Sequence, residues 1–316
     1  MKSIINLVFC ICLTACVAEV TPVLPTRAQP SSTHTSLVKA SNYQVPITAP
    51  SRTPRPTPII LKTLAPSATF LPDVTPVDSD AWKTLPVIPD VDASVREIYE
   101  YGQSLDNNPH AFSIFGDCQT RPDEFFGVFE TDGELVSGLS PELRELVEYF
   151  QGSFNRESPT TQDGTTPGSL LWTQWHRGDY GCSFAETPVE CELRINRPSF
   201  VIIQVGTHFE SRNTEYLRRI ILQLMDAGVV PILATKADNR EKDERINRDM
   251  ALLAAEYDLP LWNFWAAMSD LPNRGLYTRD DRPLQGDIYL TEDALERHRM
   301  TGLTTLNVVW RAVTGE

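Results

Sequence analysis

Histidine is scarce in this 316-residue sequence, and the five present are scattered without the spacing to acidic or cysteine partners that a metal centre needs. No metal is expected. Glycine, at 16 residues, nowhere forms a phosphate-cradling loop, so neither a nucleotide nor any other cofactor is expected. Basic charge is in deficit, with 28 Lys and Arg against 42 Asp and Glu. From residue 91 onward the balance is 21 basic to 37 acidic, a net −16. A region that acidic repels phosphate backbones and anionic headgroups, which argues against nucleic acid or direct membrane docking. The apolar run over residues 4–13 is too short to span a bilayer as a mature helix.

What that run does offer is a signal peptide, since Lys2 precedes it and small residues come after it. The sequence Leu13-Thr14-Ala15-Cys16 resembles the lipobox of bacterial lipoproteins. That resemblance implies a diacylglycerol-bearing Cys16 and an extracytoplasmic protein anchored to the membrane through its lipid. The alternative is an ordinary secretory signal with a chance cysteine; either way the chain leaves the cytoplasm. Residues 17–90 are crowded with Pro, Thr and Ser, as in Ser51-Arg52-Thr53-Pro54-Arg55-Pro56, and lack periodicity. They read as a disordered linker with polyproline II character, a stalk that holds the C-terminal domain off the membrane.

Residues 91–316 read as one α/β domain. Short apolar runs alternate with amphipathic stretches, the pattern of βα units on a mainly parallel sheet, and a three-layer α/β/α sandwich of flavodoxin-like type is expected. Strands are expected at 111–115, 200–205, 229–234 and 259–264. Helices are expected from Ser140-Pro141 (with Leu143, Leu146, Val147 and Phe150 on one face), over 214–227 up to Gly228, near 244–257, and after Thr304. Ligands of open sheets bind at the carboxyl ends of strands. That edge would gather Cys118, Gly206-Thr207-His208 and Lys236–Asn239.

Three segments carry a family resemblance. Gly116-Asp117-Cys118 ends the first strand, Gly206-Thr207-His208 ends a middle strand, and Asp287 and Tyr289 stand near the C-terminus. Together with Gly152-Ser153-Phe154, Cys191-Glu192-Leu193-Arg194, Arg197-Pro198-Ser199 and Thr235-Lys236-Ala237-Asp238-Asn239, this skeleton resembles the SGNH or GDSL hydrolases, in particular a bacterial surface subgroup. In that family a serine attacks an ester or acetyl carbonyl, a histidine takes its proton, an aspartate orients the imidazole, and glycine and asparagine donors hold the oxyanion.

The catalytic positions depart from the pattern. The serine position holds Cys118 beside Asp117, the asparagine position holds His208, and the histidine position holds Tyr289. Where the aspartate is expected stands Gly286, with Asp287 one place late. A tyrosine of pKa near 10 is a poor general base. Two readings stay open: Cys118 and His208 form a new dyad, or Cys118 fills a serine-sized space while His208 is a hydrogen-bonded cleft residue. Gly164 matches the second oxyanion glycine or is simply a turn. His298 is a replacement base or, more in keeping with its charged neighbours, part of a solvated helical face. Lys236 and Asp238 line the cleft or form an ion pair that closes their loop. Cys182 and Cys191, close together in an exported domain, favour a disulfide over two buried thiols, which leaves Cys118 unpaired.

The expected function is a surface lipoprotein whose hydrolase-like domain, a monomer, has lost catalysis and binds a small-molecule or carbohydrate ligand. An active hydrolase of cell-envelope or carbohydrate esters with Cys118 as nucleophile is the alternative. A ligand-free structural domain, its cleft filled by Trp172, Trp175 or Tyr289, is the third. Cys16→Ser is expected to move the protein from the membrane fraction to the soluble fraction after cell lysis; unchanged membrane retention would count against lipidation at Cys16.

Overall fold

The structure, a computed structural model, describes residues 80–315. The signal-like segment with Cys16, and residues 17–79 of the Pro/Thr/Ser-rich stretch, lie outside the described residues. Four parallel strands stand in the order β1 (Asn108–Gly116), β2 (Pro198–Gln204), β3 (Val230–Ala234) and β4 (Leu261–Trp262). A short antiparallel pair, β5 (Leu276–Tyr277) with β6 (Tyr289–Leu290), lies apart from them. At the outer edge of β1, Gly116 forms a single parallel bridge with Thr161. The chain therefore visits one side of β1 at Thr161 before crossing to β2 on the other, and the crevice outside the carboxyl ends of β1 and β2 lies at that change of direction.

Period-two alternation gives the sheet two buried faces. Phe112, Ile114, Phe200, Ile202, Val230 and Ile232 point into one cluster, and Phe115, Val201, Ile203 and Leu233 into the other. The first face is covered by α1 (Ser94–Ser104), α2 (Pro141–Tyr149) and the long α6 (Glu292–Thr314), which supply Val95, Leu146 and Trp310 among others. The second face is covered by α3 (Pro188–Asn196), α4 (Asn213–Asp226) and α5 (Arg245–Glu256), which supply Val189, Leu217 and Met250. A parallel sheet with helices on both faces is an α/β architecture compatible with a three-layer sandwich.

Local signals place several helix ends. Ser140 Oγ accepts from the Leu143 N–H at 3.4 Å with Pro141 in the first turn, and α4 stops before Gly228 at φ 67°. Cys182 and Cys191 are disulfide-bonded, tying the loop before α3 to that helix.

Three expectations are corrected. The packed region starts before residue 91: a 3-10 helix at Ala81–Thr84 buries Trp82, 4% exposed and edge-on to Trp265 at 4.9 Å. Asn263 Nδ2 donates to the carbonyls of Trp82 and Leu85 at 2.9 and 3.0 Å, and its N–H to that of Val87 at 3.0 Å. The prolines around this segment disguise it as linker, because its anchor is a tertiary contact. The last strand shrinks to Leu261–Trp262. The last helix begins at Glu292, capped by Thr291, rather than after Thr304. Its buried row Ala294, His298, Gly302 and Thr305 has helical spacing. Gly302 lets two rings approach, since a Cβ there would sit 2.8 Å from Phe125 Cζ and 2.9 Å from Trp262 Cη2.

Trp82→Ala removes a buried indole and is expected to lower the unfolding free energy by about 3–5 kcal/mol in urea titration. A loss below about 1 kcal/mol would return residues 81–90 to the linker.

Candidate ligand cleft at the carboxyl ends of the strands

The loops after β1, β2 and β3 meet around one buried ammonium. Lys236, 2% exposed, donates from Nζ to Asp238 Oδ1 and O, both at 2.8 Å, and to Glu241 Oε2 at 2.6 Å. Asp238 Oδ2 accepts from the Thr207 hydroxyl at 2.8 Å, and the Thr207 N–H reaches Asp117 Oδ2 at 3.3 Å. Asp117 Oδ1 accepts from the Gln119 N–H at 3.2 Å. Of the two readings of Lys236 and Asp238, the structure realises the ion pair that closes the loop, and neither side chain lines the cleft. Gly206 is held at φ 138°, and a Cβ on it would lie 2.5 Å from Ile246 Cγ2 and 3.1 Å from Lys236 Cδ, so this position requires glycine.

Three carboxylates around one ammonium leave an excess of negative charge. Burial pushes the Asp117 carboxyl up to about 7; the N–H groups of Gln119 and Thr207 and the Lys236 ammonium oppose this, while Asp238 reinforces it. The same environment acts on Cys118. Burial first, then the negative charges of Asp117, Asp163 and Asp238, push its thiol up to about 12. Cys118 is partly buried and is the free cysteine among the described residues.

Cys118 opens into a polar cavity of about 110 Å³, shared with Gln119, Arg121, Asp163, Arg279, Arg282 and Tyr289. Gln119 is fixed by donating from Nε2 to the Ile288 carbonyl at 2.7 Å. Each arginine in the wall faces a carboxylate: Arg121 faces Asp123 at 3.0 Å and Asp163 at 3.4 Å, Arg279 faces Asp281 at 2.8 Å, and Arg282 faces Asp281 at 4.0 Å. Tyr289 donates its hydroxyl to Gln285 Oε1 and lies under the Arg279 guanidinium. No motif in the sequence singles out these arginines as site residues; the Arg279-Asp280-Asp281-Arg282 cluster just before Tyr289 is the signal that could have found two of them.

The other expected site residues distribute unevenly. His208 is half-buried, and its ring contact is with Arg240 Nη1 at 3.5 Å; no hydrogen bond joins it to Cys118. Burial and the Arg240 charge lower its pKa, so the imidazole is neutral at pH 7. Gly164, at φ 82°, lies beside Trp175, whose Cη2 is 3.9 Å from where its Cβ would be. Trp172 is 53% exposed and fills no cavity. Asp287 is exposed and accepts from Asn273 Nδ2 at 3.0 Å and from the Thr278 hydroxyl, facing away from the Cys118 cavity.

His298 is the clear correction, since it is 0% exposed instead of solvated. Its Nε2 meets Gln204 Oε1 at 2.6 Å, and its ring packs 4.1 Å from that of Phe125 and 4.5 Å from that of Phe264. Burial drives its pKa well below 6.5. It is a neutral core residue, because the charged neighbours that suggested solvent occupy other faces of the same helix.

Glu192 also proves structural. It is 0% exposed, accepting from Ser113 Oγ at 2.5 Å and pairing with Arg156, while Asn196 Nδ2 donates to Ser113 Oγ at 2.8 Å. No protein-family model matches the chain, and no curated protein matches it in sequence.

Because the folded-state pKa of Asp117 is raised from 3.8, the native state holds this proton more tightly than the unfolded chain. The resulting stabilisation is complete below the unfolded value and is lost as pH rises through about 7. Asp117→Asn cannot titrate. Relative to it, wild-type unfolding free energy in urea is expected to fall between about pH 4 and about pH 8, whereas parallel pH profiles would refute the raised carboxyl.

Proposed function

We propose that this chain is a lipid-anchored surface protein whose domain is SGNH-hydrolase-like and acts by binding, its ester-hydrolase chemistry lost. The observation that carries the reading is the setting of Cys118: no hydrogen bond joins its thiol to His208 or Tyr289, and burial first, then the charges of Asp117, Asp163 and Asp238, push it up to about 12. A thiol attacks as the thiolate, and a group held protonated at neutral pH is a weak nucleophile. Tyr289, where the family places its base, is itself a hydrogen-bond donor, to Gln285 Oε1. His298 is sealed in the core.

Support for the family comes from the motif skeleton and from topology. Counting the Thr161 bridge as the remnant of a strand outside β1, the succession of strands follows the flavodoxin-like order, with its second strand reduced to one residue pair. Of the three segments that carry the resemblance, two supply Cys118 and Tyr289 to one cavity, and the third reaches Asp117 beside it through the Thr207 N–H. What remains there is a small polar cavity with arginine, tyrosine and amide groups in its wall, suited to a polar ligand such as part of a carbohydrate.

Ester hydrolysis tests the reading. With p-nitrophenyl acetate and the full chain, turnover is expected to be no faster than for Cys118→Ala. A wild-type rate that falls a hundredfold or more in Cys118→Ala would instead make the protein a cysteine hydrolase, with the neutral His208 as candidate base.

A further inference from the structure

A second, larger cleft of about 520 Å³ lies between the loop after β3 and the segment bearing β5 and β6. Arg240 and Lys242 come from the first wall and Arg274 from the second. None of the three forms an ion pair with a carboxylate among the described residues, in contrast to the arginines of the Cys118 cavity. Arg240 contacts only the Thr207 carbonyl at 3.3 Å and the His208 ring at 3.5 Å through its guanidinium. Arg274 lies 3.6 Å above the Trp265 ring and donates to the Trp265 carbonyl, which leaves its buried Nε with no hydrogen-bond partner. The carboxylates in the walls are already engaged, Glu244 by Lys83 and Asp287 by Asn273 and Thr278.

The backbone of this cleft is strained. Of nine non-glycine residues with positive φ among the described residues, four line it: Lys242 at 70°, Glu244 at 53°, Asn273 at 46° and Arg274 at 54°. Such conformations are costly for residues with a Cβ and gather where a site must be held in shape. Lys242 and Arg274 are among them, and with Arg240 they line one volume at the carboxyl end of β3, within a region whose net charge is −16. Grouped cations without carboxylate partners reverse the sign of the field locally, so a small anion is attracted to this cleft although the domain as a whole is acidic.

We propose that this cleft binds a small molecule carrying a carboxylate or phosphate group, held by Arg240, Lys242 and Arg274. Guanidinium forks match both oxyanions bidentately, and the cleft volume falls in the range of about 300–1,000 Å³ typical of small-molecule sites. The proposal does not depend on the state of the Cys118 cavity, with which this cleft shares only Ile288.

Calorimetric titration of the full chain with galacturonate, galactose 6-phosphate and uncharged galactose tests it. Saturable binding of at least one of the two anionic sugars, with none for galactose over the same range, is expected. That binding should weaken about tenfold or more in Arg240→Gln and in Lys242→Gln, both exposed positions, and stay unchanged in Arg279→Gln of the neighbouring cavity. Binding of galacturonate alone would assign a carboxylate, and of the phosphate alone a phosphate. Absence of binding by both anionic sugars, equal binding of galactose, or a loss confined to Arg279→Gln would overturn the proposal.

Discussion

The Lys236 ammonium, cut off from water, must find its hydrogen bonds inside the protein, and it finds them in Asp238 and Glu241. A buried cation left unpaired is so costly that its partners have little freedom to move. Asp238 passes the constraint to Thr207 at the end of β2, and Thr207 passes it to Asp117 at the end of β1. Three loops that are far apart in sequence are thus fixed in one geometry. Asn247 on α5 closes the frame, accepting from the Lys236 N–H at 2.8 Å and donating to its carbonyl at 2.9 Å.

The same cluster decides the chemistry above it. Burial first, reinforced by the charge of Asp238, draws the Asp117 carboxyl toward its neutral form, and burial with the charges of Asp117, Asp163 and Asp238 keeps the adjacent thiol protonated. In an esterase a carboxylate works by supporting a histidine; here the carboxylates sit beneath a cysteine and oppose its ionisation. Burial and the carboxylates around Cys118 together run against its ionisation. Cations on the cleft surface divide accordingly: those near Cys118 are matched by aspartates, and those past Ile288 are not.

Much of the fold was legible locally. The Ser140-Pro141 start of α2, the Gly228 stop of α4 and the apolar runs of β2 and β3 are signals contained within a few residues, and each marks an element that forms. What escaped was anchored at long range. Trp82 looks like part of a proline-rich linker until Asn263 and Trp265 are brought beside it. His298 looks solvated because Glu296, Arg297 and Arg299 flank it, yet one face of a helix is indifferent to the charges on its others. The candidate site was half visible: the residue types at the strand ends could be read, but not whether they would meet, and Cys118 and His208 share no hydrogen bond.

By itself the sequence determined the alternation of strands and helices, the proximity of Cys182 to Cys191 and the identity of the groups at the carboxyl edge. Those are set by periodicity, chain geometry and composition, which act over short separations. Tertiary structure alone decided that Lys236 is an internal counterion, that Asp287 faces away from Cys118, and that Arg240, Lys242 and Arg274 converge. Charge interactions depend on distance in space and on burial, and neither is fixed until the sheet has brought distant loops together.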